Sequence, residues 1–108
     1  MNIIDFNARN FAKLKQGKTT TVRLGDVDVV EGAAELICED ETLIYQAVVS
    51  KVQQAFFGDL GQEDAQTDGF GSVEELREEL QRCYLRPILN SEPVTVIHFH
   101  SVQEKSGA

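Results

Sequence analysis

Lys18, Thr19, Thr20, Thr21 and Arg23 set an ammonium, three hydroxyls and a guanidinium side by side, directly after the permissive backbone of Gly17. Cations of this kind grip phosphate or a polarised oxygen, and a hydroxyl beside them becomes a nucleophile once a neighbouring base takes its proton. Ala12 to Thr19 also runs A-x-x-x-x-G-K-T, a phosphate-loop pattern with alanine in place of the first glycine. Phosphate cradling needs a strand before the loop and a helix after it, so that backbone N–H groups and a helix N-terminus face the phosphate. This chain has the opposite order. Residues 7–16 carry Ala8, Phe11, Ala12 and Leu14 at helical spacing and end on Gly17 as a cap, whereas Thr19 to Leu24 is β-branched and reads as a strand. A triphosphatase loop is set aside in favour of a turn from helix into strand.

Other elements must bring partners to that turn. Ile3 to Phe6 is a short apolar start and Asn7 a helix N-cap. Gly25-Asp26 ends the Thr19–Leu24 strand, and Val27 to Val30 and Ala33 to Cys38 read as two short extended pieces divided by Glu31-Gly32. Glu39-Asp40-Glu41 reads as an acidic hairpin tip, and Leu43 to Phe57 as one long strand that bends. Acids at Glu63 and Asp64 open a short helix that Gly69 ends. Ser72-Val73-Glu74-Glu75 is a capping box, from which Val73, Leu76, Leu80, Cys83 and Tyr84 continue as an apolar stripe. Pro87 and Pro93 bracket a loop before a closing strand, Val94 to Val102, and residues 103–108 read as a loose tail. Strands, a helical excursion and a returning strand predict an α+β domain spanning 1–108, with a curved or barrel-like sheet.

Composition narrows the chemistry. The chain has 108 residues and a formal net charge of −8, which argues against a long polyanion as partner. Yet residues 1–23 hold Arg9, Lys13, Lys15, Lys18 and Arg23 against Asp5 alone, a cationic patch suited to a small anionic or polar ligand. On their own, Arg9, Lys13 and Lys15 read as a solvated helix face. Cys38 and Cys83 lie in no metal or redox motif and read as buried or half-buried thiols. With no leader-like start and no apolar run of membrane length, the expectation is a cytoplasmic protein with no membrane partner.

Two further clusters invite a chemical reading. His98 and His100 share a strand face, but no third ligand stands at zinc-like spacing, so no metal is expected. Glu74, Glu75, Glu78 and Glu79 lie opposite the Leu76/Leu80 face and read as solvated surface. Asp68 differs, because a carboxylate at a helix C-terminus opposes the helix dipole. Either it serves a turn at Gly69 or something else needs it there.

Taken together, Gly17-Lys18-Thr19-x-Thr21-x-Arg23, then Asp64-Ala65-x-x-Asp68-Gly69-Phe70, a capped helix with Tyr84, and Val94 to Phe99 as Val-x-Val-Ile-x-Phe resemble the ASCH domain family. The resemblance covers about residues 3–102. It implies a PUA-like/ASCH fold: an α+β arrangement whose curved mixed β-sheet forms a small barrel with framing helices. Small members of that family include amidohydrolases that deacetylate N4-acetylcytidine with a lysine, a threonine and a later glutamate. By that resemblance Lys18 is the proton acceptor, Thr21 the nucleophile and Asp68 the acid, with Thr19 and Arg23 on the substrate and neither cofactor nor metal. Asp68 is one methylene shorter than the family's glutamate.

That chemistry sets two conditions. A lysine serves as base only if burial or nearby positive charge lowers its pKa, and Arg23 is placed to supply such charge. In a regular strand Lys18 and Thr21 face opposite ways, so they meet only if the backbone is still turning at Gly17-Lys18. The expected partner is a modified nucleoside or short RNA. Alternatives are a non-catalytic RNA-binding module, with Lys18 and Arg23 on phosphate, and a ribonuclease using the same cations.

Overall fold

Thirteen consecutive residues, Ile44–Phe56, form the long strand β4, and its length shapes the molecule. Its pairing with β5 (Pro93–Glu104) shifts register between Gln46 and Val48 and again between Val49 and Lys51. Such irregularities bend a strand and increase its twist. The computed structural model describes residues 1–40 and 43–105, in which β1 (Asn2–Phe6), β2 (Thr20–Leu24) and β3 (Gly32–Cys38) complete the sheet. The order is β1-β3-β4-β5-β2, with β1 parallel to β3 and every other pair antiparallel. This mixed sheet curls into a half-barrel framed by three helices, the α+β architecture expected from the sequence.

The helices are α1 (Ala8–Ala12), α2 (Gln62–Thr67) and α3 (Val73–Tyr84). Asn7 caps α1 by accepting from Asn10 N at 2.9 Å. The predicted helix over 7–16 is α only to Ala12; Lys13–Gln16 tighten into a 3₁₀ turn that Gly17 ends at φ 99°. The tightening still buries Phe11 and Leu14. At α3, Ser72 accepts from Glu75 N, while the Glu75 carboxylate reaches past the box to Gly71 N.

Two apolar clusters meet behind the helices. Ile4, Phe6, Phe11, Leu36, Tyr45, Ile97 and Phe99 fill one; Val22, Leu60, Ala65, Leu76, Leu80, Val94 and Val96 fill the other. Three expectations change. Val27–Val30 is not a strand, because the Asn2 side chain bonds both Val30 O (2.7 Å) and Val30 N (2.9 Å) in place of a ladder. Gln103 and Glu104 are not tail but the end of β5, and Lys105 N bonds Ile44 O; positions 106–108 lie outside the described residues, as does Glu41 of the hairpin tip. The α3 stripe stops at Leu80, since Cys83 is exposed. Among the described residues no helix is long and apolar enough to cross a membrane.

Candidate functional site

Gly17, in the left-handed region, releases the chain from the 3₁₀ turn before β2 begins, so Lys18 and Thr19 lie outside the strand alternation. Lys18 N stays on Lys13 O and Thr19 N bonds Thr67 O at 2.8 Å. A second tie, between the Thr20 and Thr67 hydroxyls at 2.8 Å, fastens the end of α2 to the start of β2. Asp68 caps α2 at that point, and Gly69 N and Phe70 N close the helix on Gln66 O and Ala65 O.

The consequence is a direct contact between Lys18 Nζ and the Asp68 carboxylate, with 1% and 5% of the two side chains exposed. Nζ also donates to Asp68 O at 3.2 Å. The carboxylate that opposed the helix dipole is thus offset by a lysine at the helix C-terminus, where cations are favoured. Burial, reinforced by the positive charges of Arg23 and Lys13 and opposed by Glu79, pushes Lys18 down to about 6. Contact with a carboxylate favours the ammonium, but burial is the largest influence and two cations add to it, so the direction remains downward.

Thr21 and Arg23 stand on β2 beside this pair. Thr21 is buried and its hydroxyl accepts from Arg23 Nη1, which also donates to Val22 O at 3.1 Å. Arg23 Nη2 donates to Asp5 O at 2.7 Å, spanning from the edge strand β2 to the other edge strand, β1. Arg23 Cζ and Lys18 Nζ lie 5.0 and 5.8 Å from the centre of the same Phe6 ring.

Thr21, Arg23, Asp68 and Phe6 line a cavity of about 590 Å³. Val22, Phe70, Leu76 and Leu80 add apolar wall, and Arg9, Asn10, Glu79, Arg82, Cys83, Tyr84 and Leu85 also line it. The Tyr84 hydroxyl is fixed as acceptor for Leu24 N at 3.0 Å. Lys18 sits behind Asp68 and off the lining, and exposed Thr19 does not line the cavity either. The structure therefore brings together Lys18, Asp68, Thr21 and Arg23 and leaves Thr19 out, because Thr19 precedes the strand that carries Thr21 inward.

Glu79 corrects the sequence reading most. Unlike Glu74, Glu75 and Glu78, which are exposed, its side chain is 16% exposed and receives Asn7 Nδ2 (3.3 Å), Asn10 Nδ2 (2.9 Å), Arg9 Nη2 and Arg82 Nη2 (2.7 Å). It joins α3 to the start of α1 across the cavity wall. The signal in the sequence was its helical position: Glu79 directly precedes buried Leu80 and lies three residues after buried Leu76, at the edge of the apolar stripe. Cys83 lies against the same carboxylate, and although the residue is exposed, the partial desolvation of its thiol there pushes it upward. Among the described residues no cluster of His, Cys, Asp or Glu is placed to hold a metal; His98 turns to Gln53 and His100 to Ser101.

Comparison with solved structures identifies the architecture. The chain superposes on the ASCH domain from Lactobacillus crispatus JV V101 with a TM-score of 0.75 at 13% identity, over 96% of this chain and 81% of that one. It matches a protein of Enterococcus faecalis V583 assigned to family DUF984 (TM-score 0.67, 12% identity, 96% and 77% covered). A mutant ASCH protein from Zymomonas mobilis gives 0.65 at 13% identity, with 94% and 68% covered. No protein-family model matches the sequence, and no curated protein does. The fold is thus that of ASCH domains, within the PUA-like class.

Proposed function

We propose that this ASCH-fold chain binds a modified pyrimidine nucleoside in its cavity and hydrolyses the N4-acyl bond of N4-acetylcytidine. The observation that carries the reading is the buried Lys18–Asp68 contact, whose aspartate lines the same apolar-walled cavity as Thr21. A lysine held down to about 6 is a competent base near neutral pH. Thr21 Oγ attacks the acyl carbon, its proton passes to Lys18, and the carbonyl π pair moves to oxygen. Collapse breaks the C–N4 bond, the proton returns to the departing amine, and cytidine leaves. Water then attacks the threonyl ester with Lys18 again as base, releasing acetate and restoring the Thr21 hydroxyl.

Each neighbour has a role in that sequence. Asp68 holds the amine and stabilises the ammonium formed when it takes a proton, as a buried carboxylate does for the base of a triad. Arg23, donating to the Thr21 oxygen, stabilises the alkoxide character of the nucleophile and the later oxyanion. Thr19 takes no part. The test is acetate release from N4-acetylcytidine by the purified protein, with Thr21→Val as the control; release by wild type alone supports the reading, and release by both removes Thr21 as nucleophile.

A second reading is favoured by one specific observation. Lys18 lies off the cavity surface and is engaged with Asp68, the arrangement of a structural pair beneath a base-binding pocket. A non-catalytic RNA-binding module would show no acetate release and would bind short single-stranded RNA with steep salt dependence.

A further inference from the structure

Asn10 lines the cavity, and its side-chain oxygen is one of two buried side-chain polar atoms among the described residues with no hydrogen-bond partner. The orientation of this amide is set by its neighbour. Its Nδ2 donates to Glu79 Oε2 at 2.9 Å, and an ionised carboxylate can only accept, so the nitrogen must face Glu79 and the oxygen must face away. Exchanging the two atoms would set oxygen against oxygen. Glu79 is itself held by Asn7, Arg9 and Arg82, so the whole arrangement resists reorientation. A shielded carbonyl oxygen without a donor is unfavourable, and native structures keep few of them.

We propose that Asn10 is a ligand-recognition residue whose carbonyl oxygen, presented by Glu79, accepts a hydrogen bond from a ribose hydroxyl. This rests on the nucleoside reading above. With the acyl group at the floor against Thr21 and Asp68, the sugar at the opposite end of the base is directed towards the rim, where Arg9 and Leu85 are exposed. The Asn10 oxygen is closed to solvent in the empty cavity, so the sugar reaches it through a local opening at this rim; Arg9, with 61% of its side chain exposed, can leave the Glu79 carboxylate while Asn7 and Arg82 still hold it in place. Asn10 is a specificity residue that tells nucleoside from free base, and Glu79 is the positioning residue that aims it.

The test compares hydrolysis of N4-acetylcytidine with that of N4-acetylcytosine, which lacks the sugar, in wild type, Asn10→Leu and Glu79→Gln, with thermal unfolding of each. Wild type should favour the nucleoside in kcat/KM by about tenfold, the worth of one well-made hydrogen bond to a buried acceptor. Asn10→Leu should bring that ratio close to one, mainly through KM for the nucleoside. Glu79→Gln should lower it as well, because a glutamine amide can meet Asn10 in either orientation. A ratio unchanged in Asn10→Leu, or equal use of both compounds by wild type, would overturn the proposal while leaving the amidohydrolase reading intact. Hydrolysis of neither compound by wild type would instead defeat the reading on which it rests. Should Asn10→Leu fail to fold, Glu79→Gln decides alone: an unchanged ratio there overturns the proposal.

Discussion

A lysine with 1% of its side chain exposed is an expensive place for charge, and the residue that answers it is Asp68, brought close by the end of α2. The family resemblance calls for a glutamate here, yet the shorter aspartate already touches Nζ, because the two threonine ties draw α2 onto β2. Asp68→Glu should therefore give no gain in rate, and forcing a methylene into this packed site should lower stability by about 1 kcal/mol, read by denaturant unfolding. A large gain would mean that the aspartate does not reach its target. In the proposed mechanism the neutral amine is the base, so turnover should rise with pH through about 6 and then level off. Below that point Lys18 holds its proton and cannot take one from Thr21. Lys18→Met should abolish turnover and, because it leaves the buried Asp68 carboxylate without its cation, should also lower stability by about 3 kcal/mol, so denaturant unfolding is measured beside the assay. A flat profile from pH 5 to 8 would count against Lys18 as base.

Elements place these residues, and the element boundaries show what could be read in advance. Gly17, Asn7, Ser72 and Gly69 were readable because capping and left-handed turns depend on local residue chemistry. The long strand β4 and the closing strand β5 were visible in their β-branched runs. Val27–Val30 was misread because its backbone partners belong to Asn2, 28 positions away, and Glu79 because its donors come from α1, about 70 positions away. Such long-range hydrogen bonds leave no trace of the partner in the sequence, although the place of Glu79 at the edge of the Leu76/Leu80 stripe marks it as a boundary position. The cavity was half legible: the motif named Thr21, Arg23 and Asp68 of its lining and buried Lys18 behind it, together with Thr19, which stays outside, whereas Asn10 and Glu79 needed the packing of α1 against α3. One strained position yields a further prediction. Leu85 ends α3 in the left-handed region at φ 59° while 89% exposed, where a β-carbon is disfavoured and asparagine is tolerated. Leu85→Asn should stabilise the fold by about 0.5–1 kcal/mol in thermal unfolding. A loss of stability would show that the exposed leucine makes an apolar contact that outweighs its backbone strain.

Across the whole molecule, four of the five cations of the N-terminal stretch are already engaged within the fold. Arg9 pairs with Glu79, Lys18 meets Asp68, Arg23 spends its fork on Thr21, Val22 and Asp5, and Lys13 lies 3.3 Å from the centre of the Phe70 ring. With a net charge of −8 around them, these cations leave little for a phosphate backbone. Binding of short single-stranded RNA should therefore be weak, with a log–log salt slope of about −1 or shallower; a slope near −3 would favour the RNA-binding module. The cavity, with its apolar walls and a few fixed polar groups, has the character of a small-molecule site. Whether that cavity is catalytic is decided by release of acetate from N4-acetylcytidine, measured in parallel for wild type and Thr21→Val at pH 7.5. Wild type should release acetate steadily and the variant none above background, with both proteins equally folded; no release by wild type would rule out the amidohydrolase, and equal release by both would rule out Thr21 as its nucleophile.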